Sequence, residues 1–226
     1  MVVRMISTPM WDEARCKDIA SVVKSHRDLW INRGGFYTIG AATYQDTVAK
    51  DYLAVARKYN PRIENAFGGE LADIEKELTA LLGINVARRD DTALPGFHVF
   101  DARSSGRVGH VHVDAPHWNI DWGQDIVSKF SFTILVEAPE AGAGMDMWPN
   151  YEDFTFEQIC SFAQSGEYPE HVYTPYVLGE LTVHDGMTPH RIANPGSNQT
   201  VRSGGHRITM QGHGATLADG KTCLYF

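Results

Sequence analysis

His112-Val-Asp114 constrains the folding of this chain more than any other stretch. Side chains alternate faces along a strand, so an imidazole and a carboxylate one residue apart point the same way and can grip one metal ion together. A third ligand must come from a distant strand. His190 sits in Gly179 to Arg191 (GELTVHDGMTPHR), which reads as strand, Asp-Gly turn and the opening of the next strand. Two remote β segments must therefore meet. Two imidazoles and one carboxylate, with coordination positions left open, form a facial metal triad. Further on, the alternating run Arg207-Ile-Thr209-Met-Gln211 places Arg207, Thr209 and Gln211 on one strand face. A guanidinium forks onto a carboxylate while a hydroxyl on the same face adds a bond, which is what a dicarboxylate needs.

The texture around these motifs changes at Gly83, a helix stop signal. Before it, Asp12 to Leu29 reads as an amphipathic helix with Ile19, Val22 and Val23 on one face, and Gly35 to Tyr44 as a strand. Two helices are expected over Thr47 to Tyr59 and Arg62 to Leu82. After it, short strands are expected at Gly96 to Asp101, Arg107 to Asp114, Lys129 to Glu137 and Gly179 to Val183. Three more follow at His190 to Ile192, His206 to Gly212 and Thr222 to Phe226, the last two joined by a hairpin at Asp219-Gly220. A helix over Phe154 to Ser165 interrupts them. The fold class implied is mainly β with flanking helices: a jelly roll, or double-stranded β-helix, with N-terminal helical support. It reads as one domain, residues 1–93 forming the support and 94–226 the core, with a helical insertion near 151–168.

The ordered set His-x-Asp, distal His and Arg-x-Thr resembles the Fe(II)/2-oxoglutarate-dependent oxygenase superfamily, over roughly Leu94 to Phe226. The resemblance implies that His112, Asp114 and His190 hold Fe(II), and that Arg207, helped by Thr209, binds the distal carboxylate of 2-oxoglutarate. With dioxygen as the other co-substrate, it further implies oxidative decarboxylation to succinate and CO2 coupled to attack on a substrate C–H bond. Halogenases of that superfamily carry a small residue in place of the carboxylate. Asp114 fills that place here, so hydroxylation is implied, with desaturation or ring closure as variants.

Other assignments remain open on sequence alone. His110, His112 and His190 could form a three-histidine cupin site without 2-oxoglutarate, and Asn194 fits the ending of the second cupin motif. The glutamate that motif expects after the histidine pair is absent, and Arg207-x-Thr209 is then unexplained. A binding or regulatory cupin that keeps a metal without catalysis is a further alternative. Arg202 competes with Arg207 but lies among Asn198, Ser203, Gly204 and Gly205, a loop composition. Candidate substrate contacts are Arg103, Trp118, Asp121, Trp122 and Arg202, with Tyr37, Thr38, Tyr44 and Asp46 at the mouth and Asp146 and Trp148 at its edge. His184 and His213 read as structural histidines.

Composition narrows the partners. Among 226 residues, 20 basic against 28 acidic side chains give a net charge of −8, which argues against nucleic acid and anionic membranes. Cys16, Cys160 and Cys223 are too scattered for a disulfide framework, so they read as inert and a reduced cytoplasm is expected. No module for a macromolecular substrate is visible, so a small polar metabolite such as an amino acid or biosynthetic intermediate is expected. Oligomeric state is not written in the sequence.

Overall fold

The computed structural model describes residues 5–46, 52–89, 91–115, 120–149, 155, 157–158, 161, 165, 170–195, 202 and 204–226. The chain opens with β1 (Ile6–Pro9) and α1 (Glu13–Ser25), then β2 (Trp30–Asn32), β3 (Tyr37–Ile39), the short α2 (Thr43–Asp46) and the long α3 (Tyr52–Leu82). Then come β4 (Val86–Arg88), β5 (Gly96–Phe100), β6 (Ile126–Glu137), β7 (Gly144–Met147) and β8 (Val172–Pro175). The last four strands are β9 (Glu180–His184), β10 (His190–Ala193), β11 (Arg207–Leu217) and β12 (Thr222–Tyr225). A major sheet runs β1-β9-β6-β11-β5-β3-β2, with β12 joined to β11 and, in parallel, to β4. A minor sheet runs β10-β7-β8. The two are tied across the interior where Arg207 Nη2 of β11 donates to the Gly144 carbonyl of β7 at 3.3 Å.

Alternation divides the major sheet into two chemistries. Phe130, Phe132, Ile134 and Val136 of β6, Phe97 and Val99 of β5, Leu181 and Val183 of β9, and Ile208 and Met210 of β11 belong to one apolar core. Cys16, Ile19, Ala20 and Val23 of α1 and Ile63, Phe67, Leu71, Ile74 and Leu78 of α3 complete that core. The N-terminal third, which carries no motif, thus covers one face of the sheet. Each fully buried Leu, Ile or Phe contributes roughly 1.5–3 kcal/mol, so this packing fixes the strands beneath the helices. Asp12 caps α1, its side chain accepting from the Arg15 amide at 2.8 Å. The intervening positions carry Ser131 and Thr133, Thr182 and His184, His98, and Thr209 and His213, all of them buried. They line the side facing the minor sheet.

Several local expectations are corrected. The strand expected over Gly35 to Tyr44 is confined to β3, because Gly40 turns with φ of 101° and a helical turn begins at Thr43. The helices expected on either side of Asn60-Pro61 form a single α3 that passes through Pro61 and instead loses helical geometry at Phe67 (φ −135°, ψ 17°). Residues Thr47 to Asp51 lie outside the described residues. Arg107 to Asp114 makes no regular ladder; it touches β10 through one antiparallel bridge, His112 to His190. β1, β2, β4, β7 and β8 had no counterpart in the sequence reading. Most of Phe154 to Ser165, including Cys160, lies outside the described residues. At its start the Thr155 and Gln158 side chains each accept from the other's backbone amide, at 3.3 and 2.8 Å respectively, a capping-box exchange. The Asp219-Gly220 hairpin joins β11 to β12, with Gly220 at φ 85°.

Candidate metal centre

The histidines of the candidate triad are set side by side by backbone pairing. The His112 amide donates to the His190 carbonyl and the His190 amide to the His112 carbonyl, both at 2.9 Å. Their rings stand 4.5 Å apart between centroids. Asp114, two residues on, is held by its amide donating to the Gly186 carbonyl at 2.6 Å. Gly186 closes the Asp185-Gly186 turn with φ of 72°, and a Cβ there would stand 2.8 Å from Ser131 Oγ and 3.2 Å from Asp114 Cβ. Only a glycine fits that close approach without strain.

The donor atoms of His112, Asp114 and His190 all lie within 4.8 Å of one another. Asp114 Oδ1 is 3.7 Å from His112 Nε2, and Asp114 Oδ2 is 3.5 Å from His190 Nε2. Both imidazoles point the same nitrogen inward for the same reason. His112 Nδ1 donates to the His110 carbonyl at 2.9 Å and His190 Nδ1 to the Thr188 carbonyl at 2.8 Å, so that in the neutral ring each Nε2 turns its lone pair inward. Side-chain exposure falls from 49% at His112 to 16% at Asp114 and 6% at His190, so the group opens to solvent past His112. Burial opposes charge on Asp114, but His190, His213 and His112 hold its carboxyl well below the usual range. This donor set suits a divalent cation with positions left open for exogenous ligands. His110, the residue of the three-histidine alternative, is exposed and contributes a backbone carbonyl to His112.

The second candidate feature is Arg207. It is 1% exposed, and burial pulls its pKa below the usual guanidinium range. Its Nε and Nη1 are buried without any hydrogen-bond partner among the described residues, and no carboxylate pairs with it there. The guanidinium carbon sits 5.8 Å from the ring centres of both Phe100 and Tyr176. The Tyr173 hydroxyl, on β8, is likewise buried without a partner. Leaving a buried charge short of two bonds costs free energy unless a ligand completes them. Thr209 is buried on the same face of β11, and Gln211 beyond it donates to His98 Nδ1 at 2.8 Å. Burial drives the His98 pKa down to about 3, so the ring is neutral, and Tyr44 also hydrogen-bonds it.

His184 and His213, read in the sequence as structural histidines, stand close to the triad. Both approach Asp114 Oδ2 to 4.0 Å, and the His184 ring lies 4.7 Å from that of His190. Ser131, not noticed in the sequence, stands 2.6 Å from the same oxygen. The alternation that places Arg207, Thr209 and Gln211 on one face reaches His213 one step later, and that signal could have found it.

The remaining candidates scatter. Trp122 packs edge-on against Tyr225 with centroids 5.1 Å apart, and Arg89 covers it at 4.9 Å. Asp121 is exposed and caps Gly123, while Arg103 is exposed on a turn capped by Asp101. Arg202 is exposed and Trp118 lies outside the described residues. Asp146, expected at the cavity edge, is buried in a salt bridge with Arg191 at 2.9 Å, and Trp148 is buried nearby. Asp46 and Thr38 are occupied by Arg33, which pairs with both Asp46 oxygens at 2.7 Å and with Thr38 at 2.9 Å. Tyr37 packs on Trp30 with centroids 5.2 Å apart.

Comparison with solved structures fixes the fold. An N-substituted L-amino acid dioxygenase from Burkholderia ambifaria, in complex with α-ketoglutarate, superposes over 99% of this chain and 86% of its own, with TM-score 0.62 and 12% identity. The chain is a double-stranded β-helix. HygX from Streptomyces hygroscopicus, with nickel and 2-oxoglutarate bound, matches this β-helix over 98% of the chain and 91% of its own, with TM-score 0.56 and 11% identity. The α-ketoglutarate-dependent carbocyclase SnoK of nogalamycin biosynthesis does so over 96% and 82%, with TM-score 0.53 and 11% identity. No family model matches the sequence, and no curated protein matches it. No helix among the described residues is long and apolar enough to cross a membrane.

Proposed function

We propose that this double-stranded β-helix protein is an Fe(II)- and 2-oxoglutarate-dependent oxygenase that hydroxylates a small polar metabolite, such as an amino acid or biosynthetic intermediate. The observation that carries the reading is a pairing within one β-helix: a two-histidine, one-carboxylate donor set that includes His190 of the minor sheet, and the buried, under-bonded guanidinium of Arg207 of the major sheet. The donor set fits iron through the inward Nε2 lone pairs and the ionised Asp114. The guanidinium fits a dicarboxylate, since the second N–H of Nη2 can join either Nε or Nη1 in the fork that a terminal carboxylate takes. Solved structures of the same fold that contain 2-oxoglutarate support the reading.

In this reading Fe(II), 2-oxoglutarate and dioxygen together supply the oxidising power for C–H hydroxylation, with succinate and CO2 as by-products. The chain supplies placement. His112, Asp114 and His190 hold the ion on one face. Arg207, with Thr209 beside it, anchors the far end of the co-substrate and fixes its direction along the lumen. The neutral wall of Thr133, Thr182, His98 and Gln211 offers hydrogen bonds without a fixed charge. That wall, with the chain's net charge of −8, favours a small neutral or zwitterionic substrate over nucleic acid or a membrane surface, with the cytoplasm as the working compartment.

The test is anaerobic titration of the Fe(II)-loaded protein with 2-oxoglutarate, then a screen of amino acids and related metabolites for gain of one oxygen with stoichiometric succinate. Absence of 2-oxoglutarate binding by the metal-loaded protein refutes the assignment. Metal binding without it promotes the metal-keeping cupin.

A further inference from the structure

We propose that Ser131 and His213 are positioning residues for Asp114, holding its Oδ2 so that one carboxylate oxygen is presented to the metal. The inference rests on the metal reading above and deepens it. Ser131 Oγ lies 2.6 Å from Asp114 Oδ2. An ionised carboxylate only accepts, so the serine hydroxyl donates its proton to Oδ2. Ser131 Oγ is then left to accept, and His213 Nδ1 stands 2.9 Å from it. His213 must therefore carry its proton on Nδ1, giving a directed chain from His213 through Ser131 to Asp114.

The chain is built into the sheet. Ser131 of β6 and His213 of β11 are register partners on the face opposite the apolar core. The His213 ring is backed by Tyr225, with centroids 5.3 Å apart. On a further side, His184 Nδ1 accepts from the Gly186 amide at 3.1 Å, so its proton sits on Nε2, 4.0 Å from the same oxygen. Oδ2 thus accepts from Ser131 of β6, with His184 of β9 nearby at 4.0 Å and β11 behind Ser131. Oδ1 faces His112.

Coordination arithmetic gives the arrangement its purpose. A facial triad would leave three positions of a six-coordinate ion open to exogenous ligands. A carboxylate binding through both oxygens would consume one of them. The Ser131 hydrogen bond occupies a lone pair of Oδ2, which disfavours that option and fixes the rotamer of the ligand.

Co(II) titration of the purified protein tests this. Ser131→Ala should raise the Co(II) dissociation constant about tenfold, the scale of an outer-shell partner, and should remove the change in the Co(II) visible spectrum that 2-oxoglutarate produces. Ser131→Thr keeps the hydroxyl and should bind like wild type. His213→Asn, whose amide can donate from the Nδ1 position, should stay near wild type, while His213→Leu should resemble Ser131→Ala. A purely structural role would lower the melting temperature and leave Co(II) affinity unchanged. Wild-type affinity in Ser131→Ala, or equal weakness in Ser131→Thr, overturns the proposal alone. A wild-type protein that binds no Co(II) overturns the metal reading and this one together.

Discussion

Arg207→Met separates stability from function in a way the structure makes quantitative. Among the described residues the Arg207 guanidinium, 1% exposed, donates to the Gly144 carbonyl at 3.3 Å, while Nε and Nη1 have no partner. Methionine fills similar space without charge. Removing a buried charge in favour of a packed apolar side chain is commonly neutral or stabilising by about 1–4 kcal/mol. Loss of the contacts with Phe100 and Tyr176 takes back roughly 1 kcal/mol. The ligand-free variant should therefore melt at or slightly above the wild-type temperature. Its 2-oxoglutarate binding should collapse, because two charge-assisted bonds worth ~3 kcal/mol together are gone, about a hundredfold in affinity. At a 2-oxoglutarate concentration about a hundred times the wild-type Kd, binding stabilises wild type by about 2.7 kcal/mol and the variant by only ~0.4 kcal/mol. For a domain of this size 1 kcal/mol moves Tm by roughly 2–4 °C, so the wild-type shift is on the order of 5–10 °C and the variant's about 1 °C. Thermal melts of the metal-loaded protein with and without 2-oxoglutarate read both quantities. A variant more than about 2 kcal/mol less stable without ligand, yet retaining the full ligand shift, would refute the reasoning, because Arg207 would then be a structural cation.

Arg207→Lys should recover only part of the shift, since an ammonium lacks the planar fork, and exposed Arg202→Ala should change nothing; the same melts decide. Asp114→Ala should weaken metal binding and abolish hydroxylation, read by calorimetric metal titration and product mass. The folded pKa of His98, about 3, lies below its unfolded value of about 6.5, so its contribution is full above pH 6.5 and is lost as pH falls toward 3. Between pH 7 and pH 5 that loss is about 2 kcal/mol, and urea unfolding at the two pH values should show His98→Gln losing less than wild type by that amount. Gly186→Ala places a methyl 2.8 Å from Ser131 Oγ at φ of 72° and should cost about 1–2 kcal/mol of stability, measured the same way, while weakening metal binding.

What the sequence discloses here is whatever depends on neighbours along the chain. The shared face of His112 and Asp114, the face of Arg207, Thr209 and Gln211, and the Asp-Gly turns all follow from the two-residue repeat and glycine chemistry. Ser131, His184 and His213 were invisible as a group because they meet only through the register of β6 with β9 and of β6 with β11. That register is fixed by long-range packing against α1 and α3. The short β3 and the passage of α3 through Pro61 show the converse. A β-rich composition over Gly35 to Tyr44 and a proline at 61 are local signals, and the positive φ of Gly40 and tertiary packing override them.

The two faces of the major sheet carry separate inheritances on the same strands. Even positions of β6 from Phe130 to Ile134 bury against the helices, while Ser131 and Thr133 between them face the interior. In β11, Ile208 and Met210 pack outward and Thr209 and His213 inward. Substitution of interior residues can therefore alter chemistry without disturbing the outer packing, which gives such a scaffold room to diverge. A one-residue insertion within β6 has no such freedom. It would exchange the two alphabets from that point on, turning phenylalanines into the lumen and serine into the core. Length variation in descendants of this chain should accordingly collect in the connections between strands, and composition variation on the inward-facing positions.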